Sequence, residues 1–248
     1  MSVPLESLPQ VVQVTCVQLR EGLLEILGED LVALWVYGAV TFEDRPRHLG
    51  DVDTHTVLRR PLNRNTVQAI DKLHASTAHA AAIEWDSWYI LERDMASPLP
   101  LPHAFRENLV DQAWALHRAH WLAEQFVLLY GCVPSEIVRS PTWAELKEGL
   151  RSELNYIEQR VPVPPYAAPS AAFVVSNGCR IIYSLRTREV VISKRAAGNW
   201  ALTHLPASWH EAIRAADRAY NDCVMPGDDT ILQSVVDAIV TAVRDEFA

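Results

Sequence analysis

Asp51 and Asp53 stand one residue apart in Gly50-Asp51-Val52-Asp53-Thr54-His55-Thr56-Val57-Leu58. On a β-strand, residues two apart project from the same face, so the two carboxylates would lie side by side and repel each other unless they share a cation. Magnesium suits such a pair, because it takes one or two protein carboxylates together with substrate phosphate oxygens. Ile83-Glu84-Trp85-Asp86 adds a third acid, Glu84. If its strand neighbours that of the aspartates, Glu84 stands ready to accept a proton from an attacking hydroxyl. Upstream, the apolar run Leu31 to Tyr37 ends in Gly38-Ala39, small residues that let backbone approach a triphosphate closely. The chemistry these groups suit is Mg2+-dependent phosphoryl or nucleotidyl transfer from a nucleoside triphosphate, which asks the protein chiefly for alignment and charge neutralisation.

The elements that must position these residues follow from the spacing of apolar side chains. Val11 to Leu27 has helical periodicity with Gly28 as a C-cap, and Leu31 to Tyr37 is a short run suited to a strand covered on both faces. A polar loop, Thr41 to Leu49, leads to the strand Asp51 to Leu58. Asn65 is a candidate cap for a helix over 66–80 with Val67, Ile70, Leu73, His74 and Thr77 inward, and a third strand runs over 82–91. Beyond Pro102 the pattern turns helical. Leu109 to Tyr130 reads as one long helix closed by Gly131, and Thr142 with Glu145 forms a capping box for the next. Val161-Pro162-Val163-Pro164-Pro165-Tyr166-Ala167-Ala168-Pro169 is the clearest linker, since successive prolines exclude helix and ladder hydrogen bonds alike. It divides the chain into a domain over 1–160 and a second over 161–248, whose segments 171–185, 193–202, 206–220 and 229–247 read as helices.

The 248 residues, 49% hydrophobic, suffice for two cores. A net charge of -9 argues against nucleic acid or an anionic membrane as partner and for a cationic small molecule. No basic and apolar leader opens the chain and no apolar run reaches a bilayer's width, so a cytoplasmic protein, functioning as a monomer, is expected. Cys16, Cys132, Cys179 and Cys223 are scattered without a zinc or disulfide spacing. His48 and His55 flank the aspartates within reach of phosphate, whereas His117 and His120 read as an amphipathic helix surface. The tryptophans read as core.

The order of apolar strand, Gly-small turn, charged loop, D-x-D strand, helix and acid-bearing strand resembles the nucleotidyltransferase superfamily. Arg180-Ile181-Ile182-Tyr183-Ser184, Ser193-Lys194, Ala196-Ala197, Trp200-Ala201-Leu202, Leu205-Pro206 and Ala219-Tyr220 extend the likeness. They resemble the helical second domain of streptomycin/spectinomycin-type aminoglycoside adenylyltransferases. The resemblance is collinear over roughly 30–222. It implies an α+β fold, with a small mixed sheet flanked by helices and then a C-terminal helical bundle. It also implies that Asp51 and Asp53 bind Mg2+, that Glu84 is the catalytic base, that Lys194 contacts the ATP phosphates and that Tyr220 lies near the nucleotide between the domains. The expected reaction is transfer of AMP to a hydroxyl of an aminoglycoside or aminocyclitol, an antibiotic-resistance activity. Two departures stand out. Ala39 replaces the usual Ser or Gly, and Pro169-Ser170-Ala171-Ala172-Phe173 has no acid where the resistance enzymes grip the cationic drug. Asp86, Glu107 and Asp111 are substitutes for that grip. A non-antibiotic acceptor, a metabolite or a protein hydroxyl, and a non-catalytic nucleotide-binding module remain the alternatives.

Overall fold

A computed structural model describes residues 2–47, 51–100, 112–224 and 230–248. By internal contacts the chain divides into two compact units, Met1–Phe42 with Leu49–Pro141, and Glu43–His48 with Thr142–Ala248.

The first unit is built on a four-stranded sheet of order β3-β2-β1-β4. The strands are β1 (Leu31–Tyr37), β2 (Asp51–Leu58), β3 (Glu84–Leu91) and β4 (Val127–Gly131). β1 pairs antiparallel with β2 and β4, while β2 and β3 run parallel. The parallel pair requires a crossover, supplied by α2 (Arg64–Ala81). Alternation along the strands sorts side chains into two cores. Leu34, Val36, Val52 and Tyr89 pack with α1 (Gln10–Leu27) and Ile70 of α2, whereas Ala33, Trp35, Tyr37, Val57 and Ile90 pack with Trp114 and Trp121 of α3 (Trp114–Leu122). β1 is therefore covered on both faces, as its unbroken apolar run requires. α2 begins two residues earlier than its sequence suggests: Asn63, not Asn65, is the cap, its side chain accepting from Thr66 N.

The single helix expected over 109–130 is replaced, among its described residues, by α3 and then β4. Glu124 has φ 62° just past the end of the helix, and Val127–Gly131 returns as an edge strand against β1. A five-residue apolar run has no periodicity of its own, and only the open edge of β1 makes it a strand. The 117–120 surface also comes out differently. Arg118 is fully buried, with Nη1 donating to the Arg139 carbonyl at 3.2 Å, and His120 packs edge-on to Phe42.

The second unit is helical: α4 (Trp143–Arg160), α5 (Ala168–Thr187), α6 (Lys194–His204), α7 (His210–Asp222) and α8 (Thr230–Asp245). The Thr142/Glu145 capping box opens α4 as expected. α5 is the central element, packed against the other four helices. Of Val161–Pro169, expected to separate the domains, Val161 to Ala167 is the α4–α5 connection inside this unit, and Ala168 and Pro169 open α5. Tyr166 fastens it to α8, with N to Gln233 Oε1 at 3.2 Å and Oη to Asp237 Oδ1 at 2.6 Å. Prolines exclude regular structure but do not by themselves mark a boundary. The units part instead at Pro141 and Thr142. The α+β class, with a small mixed sheet followed by a helical bundle, is as expected.

Candidate active site

Register decides which carboxylates meet. Asp51 stands opposite Glu84 and Asp53 opposite Asp86 along the parallel β2–β3 ladder, while Tyr37 of β1 faces Asp53 from the other side. Partners in register share a face, so all four acids lie on the α3 side of the sheet, at the N-terminal ends of β2 and β3. Asp51 and Glu84 are exposed, and Asp53 and Asp86 half-buried.

The turn after β1 is fitted to this end of the sheet. Gly38 has φ +79°, and a Cβ built on it would lie 1.9 Å from Asp53 Oδ2. Only glycine allows both that backbone conformation and that approach. The one-turn 3-10 helix Gly38–Thr41 is closed by the Thr41 hydroxyl donating to the Gly38 carbonyl at 2.8 Å. Gln125 Nε2 donates to the Thr41 carbonyl at 2.7 Å, which fixes the turn to the α3–β4 corner. Ala39, half-buried, follows Gly38 with no side-chain hydroxyl to offer.

Below the acids the same face continues as aromatic rings. His55 lies 4.6 Å from Trp121 and 5.0 Å from Tyr37 between ring centres, and stacks on Trp88 at 6.3 Å. Only 1% of His55 is exposed, so it is a core group and not the phosphate contact its place in the sequence suggested. The described aromatics of this face make a rigid floor. Sequence reading missed that floor because it is assembled from β1, β2, β3 and α3.

Asp51 and Asp53 supply the number of carboxylates that Mg2+ takes when phosphate oxygens complete its shell. Among the described residues no cluster of three or more His, Cys, Asp or Glu could hold a metal ion. The thiols are no alternative centre. Burial pushes Cys16 and Cys179 up to about 12, which keeps both protonated. His48, Glu107 and Asp111 lie outside the described residues.

Lys194 and Tyr220 belong to the second unit. Ser193 caps α6, its hydroxyl accepting from Ala196 N at 2.9 Å and donating to Asp44 Oδ2 at 2.6 Å. Lys194 follows at the first helical position, its ammonium 4.2 Å above the Tyr220 ring and 5.1 Å from that of Phe173. Lys194 and Tyr220 line a small cavity with Ser176, Asp217 and Asn221. The spacing Ser193-Lys194 and Tyr220, distant in sequence, is thus one place in the α5–α6–α7 packing.

Residues 141–244 match the model of the aminoglycoside adenylyltransferase C-terminal domain. Over this segment the chain is similar to that domain. All but the first of the matched residues belong to the second unit, and the match opens beside the capping box of α4. The whole chain is similar in fold to a solved spectinomycin adenyltransferase, AAD(9) from Enterococcus faecialis, crystallised with ATP and spectinomycin. The match has a TM-score of 0.72, covers 92% of this chain and 97% of that one, and carries 14% identity. That likeness is one of fold. No curated protein sequence matches the chain significantly. No helix among the described residues is long and apolar enough to cross a membrane.

Proposed function

We propose that the chain transfers AMP from ATP to a hydroxyl of an aminoglycoside or aminocyclitol, with Mg2+ as cofactor. The observation that carries this reading is the ladder in which Asp51 and Asp53 stand beside Glu84 and Asp86, one residue from Gly38. Asp51 and Asp53 would hold the metal, which, when bound, neutralises charge on the triphosphate. Gly38 and Ala39 would let the backbone pass close to the phosphates. Glu84, exposed at the outer end of β3, would take the proton of the acceptor hydroxyl as its oxygen bonds to the α-phosphorus. The bond from that phosphorus to the bridging oxygen breaks, and pyrophosphate leaves. Lys194, beside Tyr220, would attract the phosphate chain. That AAD(9) was solved with ATP and spectinomycin supports the same pair of substrates here.

The test is mass-detected AMP transfer across a panel of aminoglycosides and aminocyclitols. Glu84→Gln should lower turnover about a hundredfold or more while leaving ATP affinity close to wild type. ATP binding with no drug modified would overturn the acceptor half of the reading. One observation favours a second acceptor class. The first turn of α5 carries no acid, and Phe173 there is flanked by cations, a surface that suits a metabolite hydroxyl of low positive charge as well as an antibiotic. Untargeted mass spectrometry of extracts incubated with ATP distinguishes the two.

A further inference from the structure

Glu43-Asp44-Arg45-Pro46-Arg47 lies in the chain between the Gly38 turn and β2, and its composition is that of a solvated loop. By its contacts the segment belongs to the second unit, whereas Phe42 before it and Asp51 after it belong to the first. Pro46 is buried and Asp44 half-buried. Two hydrogen bonds seat the segment. Asp44 Oδ2 accepts from the Ser193 hydroxyl at 2.6 Å, at the N-cap of α6, and the Arg47 backbone N–H donates to the Asn221 carbonyl at 3.1 Å, in the last turn of α7. An acid thus stands at the start of one helix, and a donor meets a carbonyl at the end of another that has no partner within its own helix. The Arg47 side chain adds little, because its ion pair with Asp222 at 3.6 Å is made by a guanidinium 81% exposed. Ser193, by contrast, is 9% exposed, and its hydroxyl accepts from Ala196 N at 2.9 Å while it donates to Asp44. A hydroxyl whose proton goes to a carboxylate keeps a lone pair for the helix amide, so the two bonds reinforce each other.

We propose that Asp44 is a positioning residue for nucleotide binding: through its hydrogen bond to Ser193 it fixes the chain just beyond the Gly38 turn, so that the turn is ordered before the triphosphate arrives. The role rests on the nucleotidyl-transfer reading and deepens it by adding a residue that acts through the backbone. Gln125 Nε2 already holds the Thr41 carbonyl at 2.7 Å, and only Phe42 and Glu43 separate Thr41 from Asp44. So short a spacer transmits the anchorage of Asp44 to the turn. A turn held at both points gives up little freedom when a ligand binds, whereas a turn held at one has to be ordered by the ligand, at the expense of affinity.

Calorimetric titration of the full-length protein with ATP and Mg2+, together with steady-state AMP transfer, tests the role in wild type, Asp44→Leu, Asp44→Asn, Ser193→Ala and the Asp44→Leu/Ser193→Ala pair. Loss of one hydrogen bond to a charged group corresponds to about a tenfold change in an equilibrium, so Asp44→Leu should weaken ATP about tenfold and raise its KM by the same factor while kcat stays near wild type. Asp44→Asn, whose amide oxygen still accepts from Ser193, should recover most of the affinity. Ser193→Ala also removes the α6 cap, so in that background only the difference made by Asp44 is read, and Asp44→Leu should cost nothing further. A merely structural role would lower the thermal midpoint and the active fraction, hence kcat, and leave the KM for ATP unchanged. That pattern, an Asp44→Asn as weak as Asp44→Leu, or a further fall in the Ser193→Ala background would each overturn the role, and undetectable ATP binding to wild type would overturn it together with the transfer. Otherwise the two readings fail separately. Asp44-dependent ATP binding without AMP transfer to any acceptor refutes the transfer and leaves the positioning role. AMP transfer with an ATP affinity indifferent to Asp44 does the reverse.

Discussion

Gly38 bears the tightest constraint among the candidate residues. Any Cβ there meets Asp53 Oδ2 at 1.9 Å and sits on a backbone of φ +79°. Gly38→Ala should therefore displace the Asp53 carboxylate and strain the turn, lowering AMP transfer at least tenfold and stability by about 1–2 kcal/mol. Transfer assays and chemical denaturation check the two effects, and a variant of wild-type turnover would show that Asp53 tolerates displacement. His74 makes a prediction of another kind. Its Nε2 lies 2.7 Å from the Tyr89 hydroxyl, and burial pushes its pKa down to about 4, against a weaker upward pull from Asp71. In the unfolded chain a histidine takes up its proton near 6.5, a proton that the folded protein refuses until about 4. Stability is thus full above 6.5 and falls as the pH drops towards 4, by at most about 3 kcal/mol. His74→Gln should flatten the decline in thermal midpoint between pH 7 and 4.5 relative to wild type. A parallel decline in both proteins would remove His74 from the account.

At the scale of elements, α5 is the helix on which the second unit depends. Gly178, on its buried face, lies so close to α8 that a Cβ would stand 2.2 Å from Ile239 Cγ2, a stiff branched side chain. Gly178→Ala should separate α5 from α8 and cost about 1–3 kcal/mol, read as a lower denaturation midpoint. An unchanged midpoint would mean that Ile239 repacks freely. β4 teaches the complementary point. Val127 to Gly131 fits a helix as well as a strand in isolation, and it is a strand because β1 leaves an edge to pair with and Glu124 turns the chain there. Similarly, Asn63 and Asn65 are equivalent as caps by type, and the path of the chain out of β2 selects Asn63.

For the whole molecule, the charge of -9 favours cationic acceptors at long range. If the acceptor is a polycationic drug, its KM should rise several-fold between low and moderate salt, as the screening length shortens to about 10 Å or less, while kcat changes little. A KM indifferent to salt would point to an acceptor of low charge, in keeping with the cations around Phe173.

By itself the sequence determined the strands β1, β2 and β3 nearly to the residue, the helices of the second unit, the capping box at Thr142, and the acids Asp51, Asp53 and Glu84. These are local properties: periodicity, turn chemistry and charge are written in consecutive residues. Tertiary structure alone decided that Asp86 stands level with Asp53, that His55, Arg118 and His120 are interior, and that the proline-rich stretch lies within a unit. It also decided that Arg160 and Lys194 share one phenylalanine ring. Each of these depends on which strand or helix packs beside which, and such contacts join residues far apart in the chain. Burial, register and the meeting of distant charges arise only when the whole chain has chosen one packing.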